Sequence, residues 1–324
     1  MGKRLLEVQD LKTYFTKGKS VVKAVDCVSF HVDENETLGL IGESGCGKTV
    51  SSLSILRLVP EQTGRIVGGK ILFDGKDLLA LSNKEMRKIR GKEISMILQD
   101  PMASLNPVFN IGDQIGEAIT NHARIKKTDL HGKVIEMLKL VRISTPDMIA
   151  RAYPHQVSGG MKQRIVGAIS MSCQPRLIIA DEPTTSLDTT IQAQYLELLK
   201  TIQQELGMAI IFITHDFGIV ANMCDRVAVM YAGKIIESAP VRDIFYKTRH
   251  HYTAALLKAL PKLTSKIDRL VSLQGQPPKL DRLPVGCRFS PRCPRSDEKC
   301  VQEEPPLSQV DPDHYVMCWH QLAN

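Results

Sequence analysis

The chain has 324 residues, 43% of them hydrophobic and 24% charged, with a net charge of +7. That length allows about two domains with sizeable cores and excludes a disordered chain of this composition. No apolar run approaches the roughly 18 residues of a membrane span, and the charge excess is too mild to imply a nucleic-acid partner. The opening MGKRLLEVQD holds too short an apolar stretch for a signal peptide, so a cytosolic chain with reduced thiols is expected.

In chain order, LLEVQDLKTYF, VVKAVDCVSFHV and TLGLIG read as strands, broken by KGKS and DENE. Helical spacing follows from Lys48 to Leu58, and ISMIL (94–98) is a short buried strand leading to Gln99. Residues 111–142 look helical, and a helical lobe is expected over about 100–172. LIIAD (177–181), AIIFIT (209–214) and RVAVMYA (226–232) are continuous apolar runs of strand length, with helical patterns such as TTIQAQYLELLKTIQQEL between them. Strands buried on both faces and alternating with helices predict an α/β fold with a mostly parallel sheet. Two short helices, VRDIFYKT and YTAALLKAL, close this region near residue 260. A Pro- and Gly-rich stretch, QGQPPKLDRLPVG, then leads into a small cysteine-rich extension, so the domain division is 1–260 and 261–324.

GESGCGKT (42–49) fits a phosphate-binding loop. Gly42, Ser44, Gly45, Cys46, Gly47, Lys48, Thr49 and Val50 form its nucleotide contact set. The glycines let backbone N–H groups converge on phosphate oxygens, and the following helix adds its positive end. Lys48 is placed to reach the β- and γ-phosphates, and the Thr49 hydroxyl to take Mg²⁺. LIIADE ends a strand in two acids, where ligands of open α/β sheets bind. Asp181 holds Mg²⁺ through water in this reading, and Glu182 is the general base for the attacking water. Ser158, Gly159 and Gly160, in VSGGMKQR, form a second anion-binding helix start.

Taken together, these stretches resemble the ATP-binding subunits of ABC transporters, over residues 4 to about 260. The resemblance implies a phosphate-loop ATPase core with a mostly parallel sheet, a helical subdomain and an antiparallel β subdomain. It also implies that Ser158, Gly159 and Gly160 press on the γ-phosphate held by an opposing subunit; Met161 stands where glutamine is usual. Gln99, in ILQDP, matches the loop glutamine that touches metal (Mg²⁺) and water. Asp188, in TSLD, matches the residue linking the two sites of a dimer, and His215, in FITHD, the histidine that contacts the γ-phosphate. Tyr14 matches the aromatic that stacks on adenine. LQDPMASLNPVFNIGDQIGEAI and the tail GQPPKLDRLPVGCRFSPRC resemble the dipeptide, oligopeptide and nickel importers in particular. RHHYTAALLKAL approximates their His-Pro-Tyr-Thr segment, with His251 in place of proline. The implied partners are a second ABC ATPase subunit (paralogue or self), two transmembrane permease subunits and an extracellular solute-binding protein, with no nucleic acid. The implied location is the cytoplasmic face of the cell membrane. Nickel chelates, glutathione-like solutes and, as a rival class, nucleic acid or ribosomes stand as alternative objects of the ATPase.

Four of the eight cysteines, Cys287, Cys293, Cys300 and Cys318, fall in the last 38 residues. In a reducing compartment this suggests metal more than disulfides. No C-x2-4-C pair favours zinc, and the wider spacing suits the corners of a cubane [4Fe–4S] cluster. Zinc, with His314 or His320 as a ligand, and unliganded thiols remain open. Members of the peptide-importer subfamily with this cysteine set hold a [4Fe–4S] cluster there, which is what the resemblance implies. Cys27, Cys173 and Cys224 sit in apolar runs and are expected in the core, and Cys46 is expected to be a filler whose alkylation blocks nucleotide.

Overall fold

The computed structural model describes residues 2–18, 20–185, 187–260 and 273–323. The chain begins with β1 (Arg4–Lys17), β2 (Ser20–Asp33), β3 (Thr37–Ile41), α1 (Lys48–Ile55), β4 (Gly64–Phe73), β5 (Lys76–Asp77) and α2 (Asn83–Ile89). It continues through β6 (Ile94–Ile97), α3 (Pro101–Ser104), α4 (Ile111–Thr120), α5 (Lys127–Leu140), α6 (Pro146–Arg151) and α7 (Gly159–Met171). Then come β7 (Leu177–Asp181), α8 (Thr189–Leu206), β8 (Ala209–Thr214), α9 (Phe217–Met223), β9 (Arg226–Tyr231) and β10 (Lys234–Pro240). The last elements are α10 (Val241–Tyr246), α11 (His251–Lys258), a 3-10 turn at Ser290–Arg292, α12 (Glu298–Gln302), β11 (Ser308–Asp311) and β12 (His314–Val316).

Most expected elements form, with shifted ends. The helix predicted to reach Leu58 stops at Ile55, because Arg57 takes a positive φ of 52° and Pro60 follows. The helical stretch 111–142 is two helices. Asn121 caps the C-terminus of α4, and α5 restarts only at Lys127. The strands β4 and β5 and the pair β11–β12 were not legible: GRIVGGKILF is interrupted by glycine, and SQVD and HYV are short and polar.

Contacts divide the chain into two units. The first holds Val32–Glu36 and Ala80–Ile213, with the N-terminal residues up to Lys3. Its strands β6, β7 and β8 pair in parallel in that order, Leu177 meeting Ile94 on one side and Ala209 on the other. Every residue of β7 and β8 is buried, which is why both read as unbroken apolar runs. Helices α4 to α7 pack around Ile115, Leu138, Ile149 and Ile165. A Cβ on Gly112 would lie 2.8 Å from the Ala150 carbonyl, so α4 and α6 meet with only a glycine between backbones.

The second unit holds Arg4–His31, Thr37–Leu79 and Thr214–Asn324. Its strands follow the order β11-β12-β10-β9-β3, with β3 and β9 parallel and the other pairs antiparallel. A separate antiparallel sheet, β2-β1-β4-β5, completes this unit. The start of the extension, residues 261–272, lies outside the described residues. Farther on, β12 pairs with β10 (Glu237 opposite Val316), so the cysteine-rich tail extends the sheet that carries β9 and β3. The buried carboxylate of Glu237 secures that join. It accepts hydrogen bonds from the backbone N–H of Arg249 (2.6 Å) and His250 (3.1 Å) and from the Thr248 hydroxyl (3.1 Å), and pairs with His314 Nε2 at 2.9 Å. Burial opposes the charge on Glu237, but these partners hold its carboxyl below the usual range.

Two cysteine expectations are corrected. Of Cys27, Cys173 and Cys224, only Cys224 is buried; Cys173 is half-buried, with its thiol 3.5 Å from the Ala118 carbonyl. Cys27 is exposed, because its φ of 57° breaks the alternation of β2 after three consecutive buried residues and turns the side chain outward. No helix among the described residues is long and apolar enough to cross a membrane.

Candidate functional site

The phosphate loop belongs to the second unit. The buried strand β3 delivers Gly42, and the loop closes on itself: Lys48 Nζ donates to the carbonyls of Gly42 (2.8 Å) and Glu43 (3.1 Å). Two glycines are obligatory. At Gly42, with φ 153°, a Cβ would fall 2.1 Å from the Met230 carbonyl; at Gly47, with φ 111°, it would fall 2.2 Å from the Ala24 carbonyl. Gly42, Cys46, Gly47 and Lys48 are buried, Val50 is half-buried, and Ser44, Gly45 and Thr49 are exposed along the rim. Burial pushes the Cys46 thiol pKa up, with Lys48 opposing it. Cys46 is a 5% exposed thiol packed inside the loop, which slows its direct alkylation.

Tyr14 lies on β1, and its hydroxyl donates to Asp26 Oδ1 at 2.6 Å. Asp26 is in turn paired with Arg288 of the cysteine-rich tail. Burial opposes ionisation of Asp26, yet the bonds from Tyr14 and Arg288 hold its carboxyl below the usual range. Glu43 is held by a second tail arginine, Arg292, whose Nη2 and Nη1 donate to its two carboxylate oxygens at 2.9 and 2.8 Å. Asp26, Glu43, Arg288 and Arg292 were missed by the sequence reading. The available signal was an arginine beside each of two cysteines in CRFSPRC. His215 follows β8 directly and is exposed.

The acidic pair belongs to the first unit. Asp181, the last residue of β7, is 2% exposed, and the chain then turns at Glu182 with a positive φ of 44°. Glu182 Oε2 accepts hydrogen bonds from Gln99 Nε2 at 3.2 Å and Thr185 Oγ1 at 3.0 Å. The fold thus brings Gln99 and Glu182 together from positions 83 apart in the sequence. Thr185 is an addition that the sequence did not suggest. Ser158 caps α7, accepting from the Met161 N–H at 3.4 Å, and Ser158 and Gly159 lie exposed at that helix start. Gly160 is half-buried where a Cβ would meet Ile191 at 2.8 Å. Asp188 caps α8, accepting from Thr190 and Ile191 N–H at 3.1 and 3.0 Å.

Cys287, Cys293, Cys300 and Cys318 line one cavity in the second unit, and none forms a disulfide. Burial pushes up all four thiol pKa values; that of Cys318 reaches about 12, with the other three thiols adding to the effect. His320 also lines the cavity and bonds Asp297 Oδ2 at 2.7 Å. Ligand atoms of Asp297, Cys300 and His320 lie within 4.8 Å of one another. His314 does not line this cavity; it is fully buried against Glu237, which corrects its candidacy as a ligand.

The chain matches the ABC transporter family over residues 25–185, and the oligopeptide/dipeptide transporter C-terminal region over 236–300. It is 48% identical to the dipeptide transport ATP-binding protein DppD of Bacillus subtilis, covering 98% of this chain and 95% of that one. It is also 48% identical to a probable peptide ABC transporter ATP-binding protein of Sinorhizobium fredii, covering 97% and 94%. Among solved structures, cbiO1 of Clostridium perfringens superposes with a TM-score of 0.65 at 26% identity, covering 75% of this chain and 91% of that one. A strand-delivered phosphate loop, a carboxylate at the end of β7 and these full-length likenesses lead to one assignment: the chain belongs to the ABC transporter ATP-binding family, in its oligopeptide/dipeptide branch, and is an ATPase.

Proposed function

We propose that this chain hydrolyses ATP to power import of di- or oligopeptides through a separate membrane permease, from the cytoplasmic face. The observation that carries the cargo class is the likeness to peptide and dipeptide transport subunits, which runs through the tail as well as the ATPase core. Its partners are a second ABC ATPase subunit, either a paralogue or another copy, two permease subunits and an extracellular solute-binding protein. Leu98, Val108 and Phe109 are exposed apolar residues beside Gln99 in the sequence, which supports docking of a permease there.

In this reading Tyr14 stacks on adenine, and Gly42 to Val50 with Lys48 hold the phosphates. Thr49 and Gln99 are the Mg²⁺ ligands, Asp181 holds the ion through water, and His215 contacts the γ-phosphate. Gln99 suits this role, since its amide nitrogen is engaged by Glu182 and its oxygen is left for a cation. Glu182 takes the proton of the attacking water. Ser158, Gly159, Gly160 and Asp188 serve the nucleotide of the opposing subunit.

The cysteine cavity holds a [4Fe–4S] cluster through Cys287, Cys293, Cys300 and Cys318. The fit rests on four free thiols around one cavity in a loop-rich segment. When bound, the cluster cross-links a segment too small to fold on its own core. Purified protein should be brown, with about four iron and four sulfide per chain; stoichiometric zinc after anaerobic purification refutes the cluster. For the function itself, the subunit is reconstituted with its permease and binding protein in vesicles. Peptide should stimulate ATP hydrolysis, and stimulation by nickel chelate alone would transfer the assignment to that alternative.

A further inference from the structure

The cysteine segment carries two arginines, each next to a thiol: Arg288 follows Cys287, and Arg292 precedes Cys293. Both reach into the nucleotide-binding loops. Arg292, with its side chain 4% exposed, clamps the Glu43 carboxylate with two prongs. The Nε of Arg292 is fixed on the Gln274 carbonyl at 3.0 Å. The backbone of Glu43 is held as well, its N–H donating to the Tyr252 hydroxyl at 3.0 Å. The second residue of the phosphate loop is thus gripped at both ends.

Arg288 makes the other connection. It pairs with Asp26 and donates from Nη1 to the Ala232 carbonyl at 2.5 Å. The opposite oxygen of Asp26 takes the Tyr14 hydroxyl. One chain of bonds therefore runs from the residue after Cys287 to the aromatic ring on the adenine side. The intervening segment is stiff. Ser290, Arg292 and Cys293 each donate a backbone bond three residues back, and Phe289, 1% exposed, sits edge-on to Tyr231 and Tyr252 at 5.4 Å.

We propose that Arg292 and Arg288 are positioning residues for ATP, which makes the cysteine segment part of the framework of the nucleotide pocket. Arg292 serves the phosphate side, by fixing the loop and neutralising Glu43, and Arg288 serves the adenine side, through Asp26 and Tyr14. The inference rests on the reading that 42–49 bind phosphate and Tyr14 meets adenine. A bidentate guanidinium–carboxylate pair is geometrically demanding, so lysine does not replace it.

The test is equilibrium binding of ATP and of tripolyphosphate, which lacks a base, to the full chain as purified, with iron content and melting temperature recorded. Arg292→Gln should weaken both ligands about tenfold, and Arg292→Lys, which keeps the charge and the fold, about threefold. Arg288→Gln should weaken ATP and leave tripolyphosphate within twofold. In a Glu43→Gln background, Arg292→Gln should become nearly silent, because the two act as one unit. An arginine that merely stabilises the tail gives the same loss in either background, and that result overturns the proposal. So do wild-type affinities in Arg292→Gln and Arg292→Lys. Lys48→Ala separates the two levels: if it binds ATP as wild type does, the phosphate-loop reading fails, whereas its weakening beside silent arginine variants sinks only the positioning role.

Discussion

Glu182 and Glu43 each stand just past the end of a buried parallel strand, β7 and β3, yet they are held in opposite ways. Glu182 accepts from an amide and a hydroxyl, both neutral. The Glu43 carboxylate is clamped by a guanidinium, while its backbone N–H donates to the Tyr252 phenol. The two-pronged guanidinium engages both carboxylate oxygens of Glu43 and fixes their geometry. Glu182 receives its bonds from Gln99 and Thr185 on Oε2, which orients the side chain. The contrast separates the carboxylate proposed as general base from the one proposed to hold the loop, where the residue type alone does not.

The largest effect that tests this contrast is that of Glu182→Gln, which should lower kcat by about a thousandfold while ATP affinity is retained. Glu43→Gln should spread its loss the other way, onto KM more than kcat, in steady-state ATPase assays. If Glu43→Gln instead reproduced the kcat loss, the division of roles would be wrong. Cys300→Ser, or chelation of the proposed cluster, should lower the melting temperature by about 5 °C and weaken ATP binding in parallel, if the segment anchors the arginines as proposed. Scanning calorimetry with nucleotide titration of the same sample reads both. Thr185→Val should be milder, a fewfold loss in kcat with binding unchanged, because Gln99 still orients Glu182.

Acid stability sharpens the picture of the tail. Burial holds His250 down at about 4, whereas an unfolded histidine titrates near 6.5. Protons therefore bind the unfolded chain first. The stability is fully present above about pH 6.5 and is lost as pH falls toward 4. The loss between pH 7.5 and pH 5 should be ~2 kcal/mol, read from urea midpoints and flattened in His250→Gln. Glu237, whose carboxyl is held low, adds a loss of the same sign at lower pH.

Legibility followed the range of the interactions. The phosphate loop, the acidic strand end and the helix start at Ser158 are local patterns, in which adjacent residues dictate the backbone. Gln99 was expected from resemblance, but its bond to Glu182 spans 83 residues. The clamp of Arg292 on Glu43 spans 249 residues and that of Arg288 on Asp26 spans 262, with nothing in either stretch to announce the other. The strands β11 and β12 were missed because their stability comes from pairing with β10 and from the buried Glu237, not from their own side chains. His251 shows a departure that the fold absorbs: standing first in α11, where proline would fit, it bonds the His320 carbonyl at 2.8 Å.

The central claim is that Glu182 takes the proton during hydrolysis, and a rapid-quench experiment on Glu182→Gln loaded with Mg·ATP tests it most directly. The account predicts that ATP stays intact and bound, in a complex of two ATPase subunits that persists on gel filtration. Hydrolysis at the wild-type rate, or full activity from a solitary subunit at high dilution, would contradict it.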